Sequence, residues 1–242
     1  MRGTIGSTAA LGLQTDPPAL ALTVDRVYLQ GRSLPFQFRQ RRFQHIQPLI
    51  EAIIRDKGQC RIADIGGTPY YWKIAETFVA ANPVEIHLIN LEAVPVTSPK
   101  FISHAGDACA LDQFADNSFD LVHSNSVIEH VGSWAQMADM ARHVRRIAPT
   151  YVVQTPNFWF PYEPHFRFPM FHWLPEPVRY RLLMRFNLGF GGRRKTIDAA
   201  MRGVQSSNLL DARQMQALFP DAHLVRERIG PLTKSLMLIR QG

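Results

Sequence analysis

The stretch Arg61-Ile62-Ala63-Asp64-Ile65-Gly66-Gly67-Thr68-Pro69-Tyr70 constrains the fold more than any other part of the chain. An apolar run ends in an acid and a glycine pair, then opens onto a helical pattern. That order reads as a buried parallel strand that stops at a tight turn and feeds a helix. The glycines permit positive φ and let a ligand approach the backbone without a Cβ in the way. Asp64 is placed either to brace this loop or to accept hydrogen bonds from a ligand.

The rest of the chain repeats the alternation. Apolar residues at helical spacing (Phe36, Phe43, Ile46, Leu49, Ile50, Ile53 and Ile54) predict a helix over 36–57, stopped at Gly58. After the strand at 61–65 comes a helix over 70–81, with Ile74, Phe78 and Val79 inward, ended by Asn82-Pro83. Strands follow at 84–91, finishing at Glu92, at 101–104, running into Gly106-Asp107-Ala108, and at 119–124. A helix over 133–147 presents Trp134, Met137, Met140 and Val144 on one face. A strand over 151–154 then closes at Thr155-Pro156-Asn157. A short helix over 211–219 precedes strands at 222–229 and 235–240, joined by Gly230-Pro231 as an antiparallel hairpin. The expected fold is α/β: a Rossmann-like, doubly wound, mostly parallel seven-stranded sheet with that terminal hairpin. Right-handed crossovers put the carboxyl ends of the parallel strands on one edge, where such sheets bind ligands.

One segment departs from the alternation. Residues 158–195 interleave aromatics, prolines and arginines and hold one helical stretch, about 176–186. An insertion of this length beside the active edge reads as a lid or substrate platform. Residues 1–35 read as a flexible arm, and 36–242 as a single domain, which a chain of 242 residues accommodates with a full core. The net charge of +7 favours an anionic partner: nucleic acid, an acidic membrane surface or a phosphorylated substrate. Cys60 and Cys109 have no metal-ligand spacing and read as small buried residues of a reducing compartment. No apolar stretch approaches a membrane span, and the N-terminus shows no secretory signal. A cytoplasmic location is expected, with peripheral contact at the inner face of a membrane through the basic aromatic insertion.

Taken in order, Asp64-Ile65-Gly66-Gly67, Asn90-Leu91-Glu92, Gly106-Asp107-Ala108 and Phe119-Asp120-Leu121-Val122-His123-Ser124-Asn125-Ser126-Val127-Ile128-Glu129-His130-Val131 resemble the successive motifs of class I S-adenosylmethionine-dependent methyltransferases, and within them the type 11 small-molecule branch. The resemblance covers 61–157. It implies that Glu92 accepts the ribose hydroxyls, that Asp107 holds the adenine amino group and that Ala108 offers a backbone N–H. It implies that Gly66 and Gly67 let the methionine portion pass over the loop that Asp64 closes. Ser124 and Asn125 would face the sulfonium end. The pattern's usual third glycine is replaced by Thr68-Pro69-Tyr70, a stiffer loop in which Tyr70, Tyr71 and Trp72 pack either in the core or near the cofactor.

Methyl transfer asks the protein to align the acceptor with the S–CH3 bond and to exclude water. A hydroxyl acceptor also benefits from a general base, usually a histidine. His130 follows strand four beside the reacting end, and His165 lies at the root of the insertion in Glu163-Pro164-His165. Glu129 and Glu163 can orient either imidazole, and a purely structural His130 remains the alternative. The other histidines, His87, His104 and His123 among them, sit in no constellation. Glu129-His130 offers too few donors for a metal site, so none is expected. Arg39, Arg41 and Arg42 read as a solvated helix face or as contacts to an anionic group. The insertion favours an apolar or ring-bearing small molecule, or a lipid- or glycan-linked acceptor. RNA methylation is the second reading. It lacks an appended binding module, an Asn/Asp-Pro-Pro-aromatic motif after strand four and a gathered basic stripe. A catalytically silent cofactor-binding scaffold is the third.

Overall fold

The computed structural model describes residues 34–242. The expected N-terminal arm therefore lies outside the described residues, apart from Leu34 and Pro35, which open the first helix. In chain order the elements are α1 (Leu34–Lys57), β1 (Cys60–Ile65), α2 (Glu76–Ala81), β2 (Val84–Asn90), β3 (Phe101–Ala105), β4 (Leu121–Asn125), α3 (Trp134–Ile147), β5 (Thr150–Pro156), β6 (Tyr162–Glu163), β7 (Phe168–Pro169), α4 (Glu176–Arg185), α5 (Ile197–Val204), α6 (Ala212–Leu218), β8 (His223–Ile229) and β9 (Leu232–Arg240).

Seven strands form one sheet in the order β3-β2-β1-β4-β5-β9-β8. The first five are parallel, while β9 runs antiparallel to both β5 and β8. Strand order reverses between β1 and β4, and the carboxyl ends of β1 to β4 share one edge, which makes that edge the ligand-binding crevice. Side chains alternate between the two faces, as the strand period requires. Ile62, Ile86, Leu88, Leu121 and Val152 meet Phe43, Ile46, Ile50 and Trp72 on one side, while Ala63, Ile65, Val122, Tyr151 and Val153 meet Met137, Met140, Val144 and Met215 on the other.

Each expected strand and helix is present with ends moved by at most three residues, the largest shift being the start of β9 at Leu232, but several details differ. The predicted helix over 70–81 is a 3-10 turn, Tyr71–Ala75, followed by the short α2. Tyr71 and Trp72 are core residues. Trp134 is exposed, because it is the first residue after the Ser133 cap, where α3 has not yet reached the sheet. Helix α5 was not anticipated. The cap Thr196 and the spacing Ala200, Val204 mark it, and it packs under the insertion with Phe166, Phe171 and Leu183 as a third, small core. The insertion is thus an ordered body: the β6–β7 hairpin, a 3-10 turn (Phe171–Trp173) and α4.

Arg42 is not on a solvated face. It is buried under α1, and its Nε and Nη2 donate to the two oxygens of Glu227 at 3.0 and 2.7 Å, while Nη1 donates to Asn125 Oδ1 at 2.7 Å and Gln154 Oε1 at 3.0 Å. One guanidinium thereby ties α1 to β4, β5 and β8. Burial would raise the Glu227 carboxyl, but the hydrogen bonds and charge of Arg42 prevail and hold it below the ordinary range. The neighbouring Lys234 amine is pushed down to about 8 by burial and by the Arg42 charge. Because the folded Glu227 pKa is depressed, its stabilisation is present above the unfolded value and is lost as pH falls through the folded one. Arg42→Met is expected to cost about 3 kcal/mol at neutral pH by leaving a buried carboxylate short of its partner. The gap in melting temperature between variant and wild type should narrow as pH drops below about 4; a gap unchanged from pH 7 to pH 3 contradicts this role.

Candidate active site

The loop after β1 is built around one buried carboxylate. Asp64 Oδ2 accepts the Trp72 indole N–H at 2.7 Å, and Asp64 Oδ1 accepts from His123 Nδ1 at 2.6 Å. Of the two roles open to Asp64, the structure displays the bracing one. Gly66 has φ +71°, and a Cβ there would lie 2.4 Å from the Val127 side chain. A Cβ on Gly67 would lie 1.8 Å from Asp64 Oδ2, so the glycine is what lets the chain fold over its own carboxylate. The Gly66 N–H donates to Ile89 O at 2.8 Å and Asn90 Nδ2 donates to Gly67 O at 2.9 Å, which fixes the loop against the end of β2.

Beyond that loop the remaining residues expected at the cofactor fall on the same edge. Glu92 is exposed two residues past β2, and Asp107 is exposed two residues past β3. Asp107 Oδ1 accepts the Cys109 N–H at 2.9 Å, so the acid also shapes its own turn, with Ala108 buried inside it. Ser124 lies within the sheet, fully buried, with a hydroxyl that has no hydrogen-bond partner. Asn125 stands at the tip of β4 with its carbonyl oxygen taken by Arg42. A glycine-lined turn, an exposed carboxylate past β2 and another past β3 suit the methionine, ribose and adenine parts of S-adenosylmethionine in turn.

The two candidate histidines, 35 residues apart in sequence, meet in space. His130 ends a 3-10 turn (Ile128–His130) clasped by the stretch before α6, where Asn208 N–H donates to Glu129 O at 2.7 Å. The His130 ring sends Nδ1 to Ser206 O at 2.6 Å, and its Nε2 lies 3.0 Å from His165 Nε2. His165 Nδ1 is 2.6 Å from Glu163 Oε1, and the buried Glu163 also accepts the Phe166 N–H at 2.5 Å. Glu129 is fully buried. Its Oε2 accepts from the Thr155 hydroxyl at 2.9 Å, while Oε1 has no partner. Burial disfavours the charged form of His165, yet the hydrogen bond and charge of Glu163, helped by Glu129, raise its pKa above the ordinary histidine value. Glu163 thus orients His165, whereas Glu129 points to neither ring nitrogen by a hydrogen bond.

Sequence reasoning overlooked three features here. His123 is a buried partner of Asp64 and packs 4.8 Å from the Tyr71 ring. His87 and His104 stack at 5.0 Å, and His87 Nε2 also contacts Glu85 Oε1 at 2.6 Å. Arg42 organises the tips of β4 and β5. Alternation along β1, β2 and β4 places His87 and His123 on strands but does not say which neighbour each meets.

Residues 64–149 match the family model described as a methyltransferase domain. Among curated proteins none matches the sequence. Among solved structures, a SAM-dependent methyltransferase from Archaeoglobus fulgidus superposes with TM-score 0.54 at 10% identity, over 92% of this chain and 99% of that one. The DszA carbon methyltransferase gives TM-score 0.56 at 10% identity, over 90% of this chain and 57% of that one. A putative methyltransferase from an antibiotic biosynthesis pathway of Anabaena variabilis is 18% identical, with TM-score 0.43, over 75% of this chain and 64% of that one. The chain thus spans less than two thirds of the length of the last two. Residues 64–149 are thus similar to a methyltransferase domain, and the chain shares its fold with solved methyltransferases.

Glu92→Ala is expected to weaken S-adenosylmethionine binding by about 1–3 kcal/mol, the worth of charge-assisted hydrogen bonds to a diol. The exposed position means that the melting temperature should not move. Calorimetric titration of both proteins checks this, and equal affinities would remove Glu92 from the ribose site.

Proposed function

We propose that the chain transfers a methyl group from S-adenosylmethionine to a hydroxyl oxygen of an apolar small molecule or a lipid- or glycan-linked acceptor. The observation that carries this reading is the His130–His165 pair, assembled between the turn after β4 and the insertion, on the edge that holds the glycine loop. Val127, three residues before His130, packs directly on Gly66, which supports a position for the pair near the glycine loop. In the reaction the hydroxyl oxygen attacks the methyl carbon in line with sulfur. The S–CH3 bond breaks, its electrons stay on sulfur as S-adenosylhomocysteine, and the hydroxyl proton passes to an imidazole nitrogen of the pair.

The acceptor class rests on the surface of the insertion. Trp159, Tyr162, Met170 and Trp173 are exposed there, Trp159 to 63%, and the rings of Trp159 and Trp173 lie 6.5 Å apart. Exposed apolar residues gathered on one body mark a binding surface rather than ordinary exterior. Arg167, Arg181, Arg185, Arg193 and Lys195 are exposed on the same body, which suits a phosphate-bearing acceptor or contact with an anionic membrane face. No helix among the described residues is long and apolar enough to cross a membrane.

Incubation with methyl-labelled cofactor and, in parallel, lipid extracts, small-molecule extracts and total RNA tests the reading. Label should appear in the lipid or small-molecule fraction as an O-methyl product. Label confined to RNA, or an exclusively C-methylated product, overturns it. His130→Ala and His165→Ala should each lower turnover by about 10²–10⁴-fold, with cofactor affinity unchanged. Full activity in both variants would leave alignment alone as the source of catalysis.

A further inference from the structure

We propose that Glu129, His130 and His165 form a binding site for a first-row divalent transition-metal ion, with zinc(II) the best-suited occupant. One ligand atom from each residue lies within 4.8 Å of the other two. The argument begins with protons. The Ser206 carbonyl can only accept a hydrogen bond, so His130 Nδ1 carries a hydrogen. The Glu163 carboxylate, already accepting from Phe166 N–H, accepts likewise from His165 Nδ1. When both rings are neutral, each therefore turns an unprotonated Nε2 toward the other, and these two lone pairs face each other at 3.0 Å. Neutral rings in that arrangement repel, and a positive charge between or beside them is required.

The other histidine pair supplies an internal contrast. His87 Nε2 donates to Glu85 Oε1, which leaves His87 Nδ1 free to accept from His104 Nε2 at 2.8 Å. Neutral rings satisfy every contact there, and no ion is called for. In the His130–His165 pair they do not.

A metal ion answers the mismatch in geometry and in chemistry. Bonds of about 2.0–2.1 Å to zinc separate two nitrogen ligands by about 2.9 Å at a right angle and about 3.3 Å at the tetrahedral angle; the observed separation falls between these. The third donor is the Glu129 carboxylate, fully buried and with Oε1 lacking any partner, which costs free energy unless a cation or donor meets it. A carboxylate oxygen of Glu129 lies within 4.8 Å of a ring nitrogen of each histidine. Each imidazole already has the outer partner that metal-bound histidines show, a carbonyl for His130 and a carboxylate for His165, which fixes the tautomer and raises ligand basicity. Two imidazoles and a carboxylate suit zinc, iron or nickel and disfavour magnesium and calcium, which take oxygen ligands. His130 is exposed, so the three protein ligands leave an open position toward solvent.

Binding of the ion follows from this geometry alone, while its use rests on the proposed methyl transfer. There the open position would take the acceptor oxygen and lower its pKa; with both Nε2 atoms serving as ligands, the hydroxyl proton would leave to water in the metal-loaded protein, in place of the transfer to an imidazole, before the oxygen attacks the methyl carbon.

The test is calorimetric titration of the full-length, chelator-treated protein with zinc(II), and with cobalt(II) followed by its visible absorption. One equivalent per chain should bind, and magnesium should not compete. Affinity should fall by at least ten-fold in His130→Ala, His165→Ala and Glu129→Gln, each checked for an intact circular dichroism spectrum. Glu163→Gln, which alters only the outer partner of His165, should weaken binding by about 10- to 100-fold. Absence of stoichiometric binding overturns the site, because the pair then shares a proton instead. Binding undiminished in both histidine variants also overturns it, since the ion would then sit on other surface histidines. Metal binding without methyl transfer to any extract retires the proposed function and sustains this site; transfer by a protein that binds no metal does the reverse.

Discussion

The buried carboxylate of Asp64 is the constraint on which the rest of the site depends. It sits near the end of β1, out of water, and is held by one indole N–H and one imidazole N–H. A buried carboxylate without such donors would carry a large desolvation cost. Its two partners come from different elements, Trp72 from the 3-10 turn after the loop and His123 from β4. Satisfying the charge therefore also sets the distance from β1 to β4 at the point where strand order reverses. Gly67 is a consequence: the chain must pass over this carboxylate with no room for a Cβ.

A second constraint acts at the tips of β4 and β5. Arg42 fills the space under α1 with a guanidinium whose donors are spread over Asn125, Gln154 and Glu227. A planar, permanently charged group of this kind holds several strands in register in a way that a lysine would not. Residues expected to touch a ligand, such as Asn125, are in part committed to this network. The crevice is thus cross-linked by side-chain hydrogen bonds along β1, β4 and β5, and open past β2 and β3, where Glu92 and Asp107 stand exposed.

The histidine centre belongs to a third body. The insertion has its own small core, Phe166, Phe171 and Leu183 against Ala200 and Val204 of α5. That core holds the hairpin bearing Glu163 and so aims His165 at His130. A loop without a core would leave the ring free to rotate. The ordered packing lets two side chains from distant parts of the chain form one chemical group, which is the step from fold to proposed chemistry.

Much of this was legible in the sequence because local physics determines it. Alternating apolar runs, Pro-containing breaks and glycine turns are read within a few residues of themselves, and they defined the sheet, its edge and the order Asp64, Glu92, Asp107 along it. They also placed His130 after β4 and His165 in the insertion. Partnership was not legible, because it depends on which side chains meet across the fold. Arg42 read as one of three arginines on a helix face until burial under α1 set it apart, and His123 had no visible constellation until β4 lay beside β1. The facing Nε2 atoms of His130 and His165, and the unpartnered oxygen of Glu129 beside them, exist only once the insertion has packed. Periodicity fixes the direction in which a residue points, whereas the charge and hydrogen-bond balance of a buried group is decided by what tertiary packing brings to within three ångströms of it.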